Sequence, residues 1–391
     1  MKSFSAHYII TNSGPMLKRS VIRANDDGTI ISIENTEKDL KEDSSVEFYN
    51  GVIIPGFVNC HCHLELSHIK NKITPGKGLE NFIAAIRTHR ETEEKTIISQ
   101  ATAADKDMFR EGVNLCADIC NTPSTFGIKR SGRIKYLNLL EVFGIAPEKA
   151  DHKIQEVLKL SLEAENAGLE WSIVPHSVYS VSLPLFRLLK KITCNNRVTS
   201  IHFLETESEI SFLKGLSGRL CDSYLNTGHL PSALKTVKDH VNAILKEVTA
   251  SGNLMLVHNT FADRYTIREI RSRKNLFWCL CPRSNIYIEN KLPPVNLLRS
   301  ENCDIVIGTD SLASNTTLSI LSELKILQDN FPQLGLEELV RWATINGARA
   351  LCEDEHFGKI EAGLKPGLLL LQDLDLVNLK FLPTTTVTRL L

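Results

Sequence analysis

Eight short apolar runs, alternating with longer amphipathic stretches, constrain this chain more than any other feature of its sequence. They are GFVNC (56–60), VNLCADI (113–119), YLNLLEVF (136–143), WSIVP (171–175), VTSI (198–201), NLMLV (253–257), LFWCLC (276–281) and CDIVIGT (303–309). Each has the length of a buried strand. The stretches between them, such as LENFIAAIRTHRE (79–91), LPLFRLLKKI (183–192), VNAILKEVTASG (241–252) and LSILSELKILQDN (318–330), read as helices. Strand and helix in strict alternation imply a parallel sheet. Eight such units fit a (β/α)8 TIM-like barrel. The expected fold class is therefore α/β, with the barrel over residues 56–356. Residues 1–55 read differently, as short strands and turns, with Asn-Asp-Asp-Gly (25–28) as a hairpin signal. Residues 357–391 return to that style, so 1–55 plus 357–391 are expected to form a small β-sandwich domain.

Composition removes several function classes. The formal net charge is −1, which gives no field favouring nucleic acid or an anionic membrane. No apolar stretch approaches the ~20 residues of a membrane span. MKSFSAHYII has no signal-peptide core, and the ten cysteines read as free thiols, so a cytoplasmic location is expected.

Five of the eight runs end in a histidine or an aspartate: His61 with His63, His176, His202, His258 and Asp310. Parallel barrel strands bring their C-terminal ends to one mouth, so these residues are expected to converge. In a strand, positions i and i+2 share a side, which lets His61 and His63 face inward while Cys62 points away. Three imidazoles and a carboxylate suit zinc or ferrous iron. Each piece has a plainer reading. A lone H-x-H is usually a loop pair, a single histidine after a strand is usually structural, and Asp310 could be a helix N-cap. Their joint occurrence at strand ends carries the metal-site reading. His7, His152, His240 and His356 are read as surface residues.

The pieces PGFVNCHCHLELS, VPHSVYSVS, IHFLETESE, LVHNT, CPRSNIYI, GTDSLASNTTLSILSEL, ATINGARAL and GLKPGLLLL span almost the whole chain. In that order they resemble the metal-dependent amidohydrolase superfamily, within its cytosine deaminase/chlorohydrolase branch, which includes adenosine-type and aminofutalosine deaminases. The resemblance implies His61, His63, His202 and Asp310 as metal ligands. It implies Glu205, in H-x-x-E, as the general acid/base, with a surface acid in the run ETESE as the structural alternative. His258 would polarise the tetrahedral adduct, and Asp310 would also take a proton from the metal-bound water. His176 and Asn285 resemble substrate-side or supporting residues. Ser311 could orient Asp310 or bind the ring. Two-metal relatives carry a lysine where His176 stands, so one divalent metal is expected, zinc or the equally tolerated ferrous iron.

The implied reaction is hydrolytic deamination of an aminated purine nucleoside or related heterocycle. Hydroxide generated at the metal attacks the ring carbon and ammonia leaves. The enzyme class is a hydrolase of non-peptide carbon–nitrogen bonds, a cyclic amidine deaminase. The alternatives are an amidohydrolase or chlorohydrolase acting on another C–N or C–halogen bond, or a non-catalytic barrel. Glu65 and Ser67 could meet substrate, and Glu141 either binds it or supports the site. Arg87 or His89 could contact a carboxylate or ribose, although an exposed helix face is the plainer reading. Residues 214–234 are a candidate pocket wall. The expected partner is a small heterocyclic substrate, and dimers are common among the proteins this chain resembles.

Overall fold

The structure is a computed structural model and describes residues 1–36, 43–215, 217–226, 248 and 252–391. Five strands precede the βα region: β1 (Lys2–Ile9), β2 (Leu17–Lys18), β3 (Val21–Ala24), β4 (Ile30–Glu34) and β5 (Glu47–Pro55). The eight apolar runs become β6 (Phe57–Cys62), β7 (Val113–Cys120), β8 (Lys135–Val142), β9 (Glu170–Pro175), β10 (Val198–Phe203), β11 (Asn253–His258), β12 (Leu276–Leu280) and β13 (Asp304–Ile307). The chain closes with β14 (Leu368–Asp375) and β15 (Lys380–Arg389).

β6 to β9 form one parallel four-stranded sheet and β10 to β13 another, each in sequence order. The two sheets meet at both edges through single parallel bridges, Ser177 with His202 and Cys62 with Asp310. One buried apolar cluster draws on all eight strands, including Val58, Leu115, Leu139, Val174, Val198, Met255, Phe277 and Val306. A larger cluster lies between strands and helices, with Ile173, Ile201, Leu256 and Ile305 among its strand residues. The two clusters use alternate strand positions, as the two-residue period requires. The helix expected over 183–192 runs Leu183–Ile192. The helix expected over 241–252 lies outside the described residues apart from 248 and 252, as do 216 and 227–234 of the pocket wall expected at 214–234; in the rest of that wall a helix runs Arg219–Asn226, and its Tyr224 lines the cavity.

The chain ends pair with each other, but in one sheet. Its order is β15-β14-β5-β1-β3-β4, with β2 on β1. The expected two-layer sandwich is therefore a single seven-stranded mixed sheet. β5 explains the difference: it pairs antiparallel with β14 (Leu369 opposite Ile54) and parallel with β1 (Ile9 opposite Ile53). With both edges of β5 taken, the terminal strands are joined through it into one hydrogen-bonded sheet. The Asn-Asp-Asp-Gly turn joins β3 to β4, with Gly28 at φ 87° and its N–H donating to Asn25 O at 3.0 Å. His152 and His356 are exposed. His7 is instead half-buried in β1, edge-on to Phe48 with ring centroids 5.2 Å apart. His240 lies outside the described residues.

Candidate metal centre and active site

His61 reaches the site through an irregularity in β6. Its register against β7 runs from Asn59 opposite Cys116 to Cys62 opposite Asp118. Three steps on one strand against two on the other make a β-bulge. Cys60 therefore stays with Val58 in the inner cluster while His61 also points inward, and Cys62 turns out to the helix side. Gly308 makes room for it, since a Cβ there would sit 2.7 Å from His61 Cβ. His258 reaches the site by another route. Leu254 and Leu256 face the helices, so regular alternation would send His258 after them. A left-handed backbone, φ 77°, turns it inward, and Asp310 is left-handed too, at φ 56°. Non-glycine residues rarely adopt this region, and such strain concentrates at functional sites.

The converged atoms form a compact donor set. His63 Nε2 lies 3.1 Å from His61 Nε2. That is close to the ~3.3 Å edge of a tetrahedron with ~2.05 Å metal–nitrogen bonds. Asp310 Oδ1 is 3.4 Å from His63 Nε2 and 3.7 Å from His61 Nε2. The ligand nitrogens of His61, His63 and His202 lie within 4.8 Å of one another. His202 Nδ1 is 2.8 Å from His176 O, which fixes that nitrogen as the donor and leaves Nε2 for the site. Burial holds the imidazoles neutral, the form that binds metal. It pushes His63 and His258 down to about 3, although Asp310 pulls the other way in both. Burial also favours the neutral form of Asp310, but His63, His258 and two serine hydroxyls hold its carboxyl below the usual range. Three neutral imidazoles and one carboxylate fit a divalent cation such as zinc.

Two supports of Asp310 were not legible as such in the sequence. Ser284 Oγ and Ser314 Oγ each donate to its Oδ2 at 2.6 Å. They direct Oδ1 to the histidines. Ser311, the neighbour singled out earlier, instead lines the cavity. The only available hint was a serine four residues after Asp310. Ser284→Ala is expected to weaken metal retention and turnover by ~10-fold or more, read by zinc content against a competing chelator and by initial rates. Wild-type values for both would remove Ser284 from this role.

Glu205 follows His202 by one tight turn, with Leu204 left-handed at φ 48°. Glu209 builds the turn: its carboxylate accepts the N–H of Leu204 at 3.0 Å and of Glu205 at 2.7 Å. Glu205 Oε1 lies 3.7 Å from His258 Nε2. Burial, and then the nearby charge of Asp310, raise the Glu205 carboxyl well above its ordinary value. Asn285 Nδ2 is 3.2 Å from His258 Nδ1, so Asn285 supports the imidazole and is not a lining residue.

A cavity of about 280 Å³ opens over these groups. His63, His176, His202, Glu205, His258, Asp310 and Ser311 form its polar floor. His176 stacks on His202 with centroids 4.5 Å apart, and its Nδ1 is 2.7 Å from Ser180 Oγ. Glu141 lines the cavity and takes Asn121 Nδ2 at 3.2 Å on one oxygen, while the other has no hydrogen-bond partner. Glu65 does not line it. Its carboxylate is occupied by Arg90 at 2.8 Å, the N–H groups of Asn121 and Thr122 at 3.1 Å, and the Thr122 hydroxyl at 3.0 Å. Its expected contact with substrate is replaced by a bracing role under the cavity wall. Ser67 is likewise buried and donates to Leu64 O at 2.7 Å.

Comparison with known proteins agrees with this geometry. An adenosine deaminase of Helicobacter pylori is 26% identical over 333 residues, covering 82% of this chain and 79% of that protein. A crystal structure of Helicobacter pylori aminofutalosine deaminase in complex with methylthio-coformycin superposes with a TM-score of 0.80 at 21% identity, covering 98% of this chain and 94% of the other. An atrazine chlorohydrolase from Arthrobacter aurescens TC1, complexed with zinc, gives a TM-score of 0.71 at 16% identity, over 94% of this chain and 86% of the other. These structural likenesses give a TIM-barrel-type α/β fold. The sequence profile of the amidohydrolase family matches residues 52–388. With its strand-end histidines and aspartate gathered in one cavity, the chain belongs to the amidohydrolase family.

Proposed function

We propose that this protein is a metal-dependent hydrolytic deaminase of an aminated purine nucleoside, releasing ammonia. The observation that carries the reading is Glu205, a buried carboxyl of raised proton affinity, beside His258 on the floor of a cavity that also holds the N3O donor set. His61, His63, His202 and Asp310 would hold a single divalent metal, zinc. No lysine stands at the end of β9 to bridge a second ion; His176 occupies that place. Bound there, a divalent cation would lower the pKa of water to ~7 and so make hydroxide available at neutral pH. Glu205 takes the water proton and passes one to the ring nitrogen next to the attacked carbon. It then takes the proton of the hydroxyl now on that carbon and delivers it to the amino group, which leaves as ammonia as the C–N bond breaks and the C=O forms. His258, held by Asn285, faces the oxygen that adds to the ring. Asp310, braced by Ser284 and Ser314, keeps its free oxygen toward the histidines.

The eight strands are taken as one closed barrel spanning 56–356, and the segments 1–55 and 357–391 as the second domain. Two bridges at the sheet edges and one apolar cluster shared by all eight strands support the closure. Among the described residues, no helix is long and apolar enough to cross a membrane.

The test is ammonia release by zinc-replete protein across aminopurine nucleosides, with chloro-substituted rings in parallel. Ammonia from the nucleosides supports the reading, and chloride release alone overturns it. Asp310→Ala is expected to lose zinc and turnover together, by elemental analysis and rate. Full zinc content in that variant would remove Asp310 from the ligand set.

A further inference from the structure

After His202 the chain reads Phe-Leu-Glu-Thr-Glu-Ser-Glu, with Glu205 as the first glutamate and Glu209 as the last. Thr206 and Glu209 have the spacing of a capping box, in which a threonine before a helix and a glutamate three residues on bind each other's backbone N–H. The helix Glu207–Gly215 starts here, and the threonine half of that exchange is present: Thr206 Oγ1 accepts the Glu209 N–H at 3.2 Å. The glutamate half is stretched. Glu209 reaches back beyond Thr206, and its two oxygens accept the N–H of Glu205 at 2.7 Å and of Leu204 at 3.0 Å.

That reach fixes the peptide that carries the proton-transferring acid. The Leu204–Glu205 peptide gives its N–H to Glu209, and its C=O accepts the Phe261 N–H at 2.9 Å. Phe261 follows His258 by three residues, so the peptide is held from the His258 turn as well. Leu204 sits in the left-handed region at φ 48°, a conformation that a non-glycine residue keeps only where its surroundings over-determine it. Rotating the peptide would break both bonds and swing the Glu205 carboxyl away from His258, 3.7 Å off. Glu209 is fully buried, a costly place for a carboxylate whose only task is to cap a helix. Its charge also adds, after burial and Asp310, to the raised proton affinity of Glu205. Glu209 itself does not line the cavity.

We infer that Glu209 is a positioning residue for the proton transfers: it clamps the Leu204–Glu205 peptide and so keeps the Glu205 carboxyl aimed at the reacting ring. This rests on the deaminase reading and places a second buried carboxyl behind the first. Glu209 meets neither substrate nor metal, and its effect on turnover passes through Glu205.

The test uses the zinc-replete full chain as wild type, Glu209→Gln, Glu205→Gln and the two changes together. Glutamine fills the volume of Glu209, but its NH2 meets one of the two N–H groups and cannot accept from it. The substrate is adenosine or methylthioadenosine, whichever wild type deaminates faster. Glu209→Gln is expected to lower kcat by about 10- to 100-fold, the effect of a reacting group displaced by ~1 Å, with KM within about 3-fold and zinc content unchanged. In the Glu205→Gln background the same change is expected to lower kcat by less than about 2-fold, because residues that act as one unit lose their effect together. A kcat near wild type in Glu209→Gln would overturn the inference. So would losses that multiply in the double variant, which a general weakening of the fold would produce. If Glu209→Gln does not fold, Glu209→Asp enters the same cycle with the same expectations, since its shorter side chain keeps the charge but cannot span both N–H groups. No ammonia from either nucleoside with wild type would overturn the deaminase reading and this inference with it.

Discussion

Glu205→Gln is expected to keep the metal and lower kcat by about 10²- to 10⁴-fold, the usual contribution of a positioned general acid/base. The side chains are nearly isosteric, and Glu205 donates nothing to the donor set of His61, His63, His202 and Asp310. What the amide lacks is an exchangeable proton. Glu205 is buried beside Asp310, and both conditions favour its protonated form. A carboxyl of that affinity can take the water proton and pass it to a ring nitrogen, then carry the proton of the added hydroxyl to the leaving amine. Glutamine can hydrogen-bond to the same atoms but cannot transfer the proton. Elemental analysis with steady-state rates separates the two properties. Full zinc with turnover near wild type would show that another group moves the proton.

Lys129→Met is expected to lower folding stability by about 3–5 kcal/mol, the cost of leaving one partner of a buried ion pair alone. Lys129 and Asp118 are both fully buried, with Nζ to Oδ2 at 2.5 Å. Burial alone would lower the lysine pKa, but Asp118 and then Cys120 and the surrounding hydrogen bonds raise it instead. Lys129 Nζ also donates to Asn138 Oδ1 at 2.8 Å. Asp118 Oδ1 accepts the Leu64 N–H at 2.7 Å, immediately after His63. The pair thus ties β7 and β8 to the turn that leaves the first two ligands. Methionine matches the lysine stem in length and abandons the carboxylate. Urea unfolding of the metal-free protein reads the effect, and Asp118→Asn added to Lys129→Met should recover part of it. An unchanged unfolding midpoint in the single variant would mean that Asp118 is satisfied without the lysine.

The pair also marks a limit of sequence reading. Asp118 and Lys129 lie eleven positions apart in unremarkable contexts, and nothing local ties them to His63. The same limit applies to Ser284 and Ser314, which approach Asp310 from the helix Pro282–Glu289 and from the loop after β13. Glu209 was readable only as part of an acidic run, yet it folds the turn that carries Glu205. Glu65 illustrates the reverse error. Its place after the histidine pair suggested contact with substrate, but Arg90 and the Asn121–Thr122 backbone take up its oxygens. Hydrogen-bond partners are matters of approach in space, and composition does not encode them visibly.

Periodicity, by contrast, is local chemistry. A strand buries alternate residues and a helix buries a stripe, so the eight apolar runs and the helices between them were legible along the chain. So was the gathering of strand-end residues, because parallel strands in one order share one end. The amidohydrolase resemblance came from the same strand-end motifs. Tertiary structure decided the rest. The bulge at His61 and the left-handed turns at His258 and Asp310 aim side chains that alternation would misplace. The single sheet formed by the two chain ends depends on which edges of β5 are occupied. Arg87 and Arg90 stand one turn apart on one helix and both line the cavity, and only the position of Glu65 gives Arg90 a carboxylate partner. Short-range patterns set what each segment can become, and long-range contacts select the orientation and charge that each side chain keeps.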